Sequence, residues 1–126
     1  MPGATILSYV KSQEKEAQVQ RLCKRLQIQC VQIGPQDMGK ELGALCGIYK
    51  GTKGTHAPVP FLYQAPELLI FSGIPEGMLD VVLAEYRKEG IEPVALKAIV
   101  TPHNIGWTVY ELSSELAKEH AAMHRR

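Results

Sequence analysis

Apolar and polar positions along this chain follow two rhythms, and the changes between them mark its elements. Residues 4–10, ATILSYV, are apolar and partly β-branched and predict a first strand. From Ser12 a charged stretch follows in which Val19, Leu22, Cys23 and Leu26 recur at i, i+3, i+4 and i+7, the stripe of an amphipathic helix. IQCVQI, residues 28–33, predicts a second strand that Gly34-Pro35 ends. The second half repeats the plan. ELLIFSG, residues 67–73, predicts a third strand, and Pro75 suits the start of a helix because it has no N–H to waste. Leu79, Val82, Leu83 and Tyr86 repeat the helical stripe, and Gly90 fits the left-handed position that closes it. PVALKAIV, residues 93–100, predicts a fourth strand. After a TPHN break, Ile105, Val109, Leu112 and Leu116 predict a last helix running from about Ile105 towards His120.

The connector between the halves, residues 34–66, holds six glycines and four prolines. Its first part predicts a short helix through Leu42, Leu45 and Ile48, and KGTKGTHAPVP has no usable period and reads as an exposed, inserted loop. The chain is therefore expected to be one domain over 1–126. Its parts are strand–helix–strand over 1–33, the connector over 34–66, strand–helix–strand over 67–100, and a turn with a C-terminal helix over 101–126. The expected class is α+β, a ferredoxin-like βαββαβ core with an added C-terminal helix; the alternative is a three-layer, all-parallel α/β sheet. In the first strand Ile6 and Val10 oppose Leu7 and Tyr9, so both faces are apolar. Two helices cover one face, and the last helix or a second subunit must cover the other. That leaves room for a homodimer.

Size and charge narrow the classes. With 126 residues, 45% hydrophobic and 21% charged, the chain can bury a core without a disulfide or metal staple. The net charge of +1 argues against a general electrostatic grip on nucleic acid or an anionic membrane. The charge is nonetheless divided: eight Lys/Arg against four Asp/Glu in residues 1–60, and six against nine in 61–126. Arg21, Lys24 and Arg25 on the first helix and Lys50 and Lys53 on the loop invite an RNA reading, but the third strand offers only Phe71 where such domains need a platform of exposed aromatics. No apolar run approaches a membrane span and the N-terminus lacks a basic leader, so the expected location is the cytoplasm.

Chemistry-bearing motifs are sparse. The string GIYKGTKGT, residues 47–55, has its glycines and lysines misplaced for a phosphate loop. His120 and His124 share a helical face without a third ligand, so no metal and no cofactor is expected. Cys23 and Cys30 read as buried small hydrophobes, and Cys46 as the more exposed thiol. The segment KAIVTPHNIGWTVYE, residues 97–111, is the most informative. Thr101, His103, Asn104 and the first N–H groups of the last helix, with Lys97 nearby, have the makings of a small anion site, and Trp107 packs beneath the turn. Asn104 can cap the helix, or Thr108 and Glu111 can cap a later start as a T-x-x-E box.

The run from Leu68 to His120 resembles the small bacterial proteins grouped as domain-of-unknown-function family 3783, through its FSG turn, its LKAIVTPHN stretch, the following tryptophan and the EL-x-x-EL helix. Residues 1–48 fit that pattern more loosely, and 50–66 do not. The resemblance marks Lys97, Thr101, Pro102, Asn104 and Trp107 as defining positions and implies no activity. The functional expectation is thus a non-catalytic small-ligand-binding or regulatory module with Lys97, Thr101, His103, Asn104 and Trp107 as its ligand residues. The alternative is an enzyme that acts on a small anionic substrate at the same turn, with Lys97 or His103 as acid–base group.

Overall fold

The computed structural model describes residues 3–123; His124 and the terminal arginines lie outside the described residues. The chain runs β1 (Thr5–Tyr9), α1 (Gln13–Arg25), β2 (Gln29–Gln32), a 3-10 turn (Pro35–Asp37), α2 (Leu42–Leu45), β3 (Leu68–Ser72), α3 (Glu76–Lys88), β4 (Leu96–Ile99) and α4 (Val109–Met123). Local chemistry sets most of these bounds. The Ser12 hydroxyl accepts the Lys15 N–H at 3.2 Å and starts α1. Gln27, at φ 60°, closes that helix, with the Ile28 N–H reaching back to the Cys23 carbonyl at 2.8 Å. Gly90, at φ 72°, follows α3 in the same way.

The four strands form one mixed sheet in the order β2-β1-β3-β4. β1 pairs parallel with β2, β3 parallel with β4, and the two units meet at an antiparallel centre where Leu7 faces Ile70. The class is α+β, but the ferredoxin-like core is not the arrangement adopted. In that core each βαβ unit is split by a strand of the other, whereas here each unit closes on adjacent strands and the edges are exchanged. A three-residue link through Gln27 joins α1 to β2, which lies directly beside β1. The all-parallel alternative is also set aside by the antiparallel centre, although its three layers are present.

Strand alternation feeds two cores. Ile6, Leu69 and Phe71 meet Val19, Leu22 and Cys23 of α1 and Val82 and Tyr86 of α3 on one face. Leu7, Leu68, Ile70 and Leu96 meet Leu42 of α2 and Val109 and Leu112 of α4 on the other. The face that left room for a second subunit is therefore covered by the connector and α4. Arg25, part of the basic grouping on α1, is committed to α3, pairing with Glu85 at 2.8 Å and with Glu89. Among the described residues no helix is long and apolar enough to cross a membrane.

Candidate functional site

The fold gathers its irregular segments at one end of the sheet, where β3 and β4 finish. Residues 101–107 form consecutive turns, and α4 begins only at Val109. Ile105 continues the apolar spacing of the helix but lies in the turn. The first turn closes on itself: the Thr101 N–H donates to Asn104 Oδ1 at 2.8 Å, and the Asn104 N–H to Thr101 Oγ1 at 3.3 Å. The Asn104 amide also donates to the Ile99 carbonyl at 3.1 Å, tying the turn to the end of β4. Asn104 thus shapes its own turn, and the later start is the one capped. The Thr108 N–H donates to Glu111 Oε1 at 2.8 Å and the Glu111 N–H to Thr108 Oγ1 at 3.1 Å, a complete capping box.

The connector seals this helix start. It runs antiparallel to residues 105–110: the Tyr110 N–H donates to Met38 O and the Val109 N–H to Lys40 O. In return the Leu42 N–H donates to Trp107 O and the Gly43 N–H to Ile105 O. The first N–H groups of α4 are therefore all used within the chain, and the anion-binding role expected of them is closed.

A crevice of about 490 Å³ opens instead beyond the ends of β3 and β4, lined by Ser72, Gly73, Val100, Thr101 and Pro102 and walled by Ile48 and Ile105. Sheet ends of this kind are where open α/β sheets bind ligands. Gly73 needs its φ of 66°, and a Cβ there would lie 3.1 Å from the Gly3 carbonyl oxygen, so the floor is backbone packed on backbone. The Thr101 hydroxyl oxygen accepts from Asn104, and its proton has no acceptor among the described residues.

The two isoleucine walls are set by a buried cluster that sequence reading did not find. Gly43 lies under the Tyr49 ring, and the Tyr49 hydroxyl donates to Glu41 Oε1 at 2.6 Å and to Ile105 O at 3.1 Å. The Ile48 N–H donates to Gly43 O at 2.8 Å. Glu41, whose side chain has no exposed surface, also accepts the backbone N–H groups of Lys53 and Gly54 at 3.0 and 2.9 Å and His56 Nε2 at 2.7 Å. On its far side His56 Nδ1 meets Glu111 at 2.9 Å. The Tyr49 hydroxyl, then His56, then the two N–H groups hold the Glu41 carboxyl down at about 2. Burial, reinforced by Glu41, pushes the Tyr49 phenol up to about 12. Hydrogen bonds donated to Glu41 first and Glu111 second raise the His56 pKa above the ordinary histidine value. The loop is exposed as expected over residues 50–55, but its backbone at Lys53 and Gly54 and the His56 ring are pinned to the buried Glu41 carboxylate. Neither the Glu41 environment nor the role of His56 has a local signature; only the T-x-x-E box pointed towards Glu111.

The residues expected to share a site fall on three surfaces. Thr101 lines the crevice and Asn104 shapes the turn behind it. His103 stands edge-on against Trp107, ring centroids 5.3 Å apart, and Trp107 also borders a separate hollow with His56 and Glu111. Lys97 lies at mid-strand and faces α3. Among the cysteines the expectation for Cys46 is corrected: it is buried behind α2 in the α4-side core, and burial pushes its thiol pKa up. Cys23 is buried and Cys30 half-buried.

Fold and site together define a three-layer α+β domain with a ligand-sized crevice at the ends of its central sheet. Residues 67–123, the β3–α3–β4–α4 part of the chain with the 101–107 turn, match the family model described as Domain of unknown function (DUF3783). No curated protein and no solved structure matches the chain.

Proposed function

We propose that the chain is a non-catalytic binding module that takes a small, mainly apolar ligand with a hydrogen-bond-accepting head into the crevice beyond β3 and β4. The observation that carries this reading is the lining: Ile48, Val100, Pro102 and Ile105 are apolar, and none of the residues lining the crevice titrates near neutral pH. Thr101 supplies a hydroxyl proton left to donate. Walls held by a buried hydrogen-bond network, rather than by loose loop packing, favour a pre-formed site. A catalytic role at the turn would need Lys97 or His103 to reach Thr101, and both face other surfaces.

A proton–nitrogen NMR titration with branched and aromatic carboxylic acids and their methyl esters tests this. The amides of Gly73, Thr101 and Ile105 are expected to shift with one series or both. The acid and ester arms separate a charged head group from a neutral acceptor. Ile48→Asp, at a partly exposed wall, should weaken binding at least tenfold, and Thr101→Val by the worth of one hydrogen bond, about 1 kcal/mol. Silence at those three amides at millimolar ligand, or an unchanged titration in Ile48→Asp, would sink the reading.

A further inference from the structure

A second surface, separate from the crevice, runs along the outer edge of β4. Among the described residues β4 pairs only with β3. The Leu96 and Val100 N–H groups donate inward, to Glu67 O and Phe71 O, so the alternate residues Lys97 and Ile99 turn their peptide groups outward. The Ile99 carbonyl is taken by Asn104. Among the described residues the Lys97 N–H and C=O and the Ile99 N–H remain open, the template of an unpaired sheet edge.

Beside this edge, α3 stands back far enough to leave two consecutive hollows. The larger, about 280 Å³, lies between Phe71, Leu79 and Ile99, and the smaller, about 160 Å³, between Tyr86, Arg87 and Ile91. Both share Leu83 and Lys97, so they follow one another along the groove. Side chains at i and i+2 of an added strand fall on one face, about 6.5–7 Å apart, so two of them can address two adjoining hollows. Ile99 is left 51% exposed at the lip.

Charge decides the occupant. The two charged residues of the groove, Lys97 and Arg87, are both cationic, and neither has an acidic partner among the described residues. Glu85 and Glu89 of the same helix are committed to Arg25 on the side away from β4. A second copy of this chain would bring either the same two cations on its β4 or the uncharged QCVQ of its β2. Lys97 on the edge therefore discourages self-pairing and suits a carboxylate-bearing segment. We infer that the β4 edge and α3 form a peptide-docking groove, in which an extended segment of another protein adds as a fifth strand. That segment places apolar side chains at i and i+2 in the two hollows and acidic residues against Lys97 and Arg87.

The test uses the full chain and a display library of heptapeptides with Leu, Ile, Val or Phe at positions three and five and the other positions randomised. Enriched peptides are synthesised and titrated by fluorescence anisotropy. Acidic flanks should be enriched, and a Lys97→Glu, Arg87→Glu double variant should weaken binding at least tenfold at low salt. Ile99→Lys, at an exposed position, should do the same with unchanged thermal unfolding. N-methylating the peptide's central amide should also abolish binding, which simple adhesion to an apolar patch would not require. No enrichment, enrichment without acidic flanks, or affinity indifferent to these changes overturns the inference. So does a dimer in light scattering that Lys97→Glu disrupts, since the edge would then belong to a second copy. Ile48→Asp should leave peptide binding intact and Ile99→Lys should leave the small-acid titration intact, so the two proposals fail separately.

Discussion

Gly43→Ala is expected to destabilise the protein, by about 1–3 kcal/mol, the range for forcing extra atoms into packed space. Helix propensity alone predicts the opposite sign, since alanine in place of glycine inside a helix ordinarily stabilises by roughly 0.5–1 kcal/mol. The structure decides between them. A Cβ on Gly43 would lie 2.2 Å from Cε2 and 2.7 Å from Cζ of Tyr49, and 3.0 Å from Cγ1 of Ile105. The ring cannot swing away cheaply, because its hydroxyl is held by the buried Glu41 carboxylate and the Ile105 carbonyl. Moving it would leave Glu41 short of a donor and release Ile48 and Ile105 from the crevice. Thermal unfolding should show a fall in Tm, and the small-ligand titration should weaken in parallel. The clash should also be specific to the ring. In a Tyr49→Ala background, Gly43→Ala should cost far less than in the native chain, the non-additivity expected of touching residues. Equal costs in both backgrounds, or a rise in Tm in the native one, would show that the ring does not constrain Gly43.

What local sequence could reveal, and what it could not, divides along the same line. α1 was legible because Ser12 and the Val19–Leu22–Cys23–Leu26 stripe act within a turn or two of themselves. The later start of α4 was legible as an alternative in the Thr108–Glu111 spacing, while Ile105 misled because a turn happened to continue the helical period. The strand order was not legible. The two βαβ units read identically whether β2 falls beside β1 or beyond β3, because the apolar period of a strand is the same in either place. Lys97 is near the turn in sequence, but four residues of extended chain span about 13 Å, enough to place it on another surface. Glu41 is the clearest loss. Its partners lie 8, 12, 13 and 15 residues away and converge only after the loop has folded. A glutamate before a glycine-rich stretch carries no trace of that convergence, and a loop rich in glycine reads as free when one buried carboxylate holds it.

His56 makes that hold depend on pH, and its sign follows from the two contacts. Nε2 meets Glu41 and Nδ1 meets Glu111, so only the imidazolium, with an N–H on each nitrogen, donates to both. The neutral ring must turn a lone pair towards one carboxylate. The folded-state pKa of His56 is raised above the ordinary histidine value of 6.5, chiefly by Glu41 and then by Glu111. Its contribution to stability is therefore complete below about 6.5 and is lost as pH rises through the higher folded value. The carboxylates act in the opposite sense. Glu41 falls from 4.5 to about 2. Burial works against ionisation of Glu111, but the Thr108 N–H and His56 outweigh it and hold that carboxyl low as well. Both contributions are present above about 4.5 and fade on acidification, that of Glu41 as pH falls towards about 2. Thermal unfolding should thus be most resistant between about pH 4.5 and 6.5, declining on either side. His56→Gln keeps an amide donor but cannot titrate, so it should flatten the decline above pH 6.5 while leaving the acid limb in place. Glu111→Gln should lower the pKa of His56, read directly from its ring nitrogens by NMR, whereas Glu115→Gln, on the rim of the same hollow, should move it little. Parallel melting curves for the native chain and His56→Gln from pH 6 to 8.5, or a ring that titrates at or below 6.5, would show that the loop is held by Glu41 and its backbone donors without the histidine.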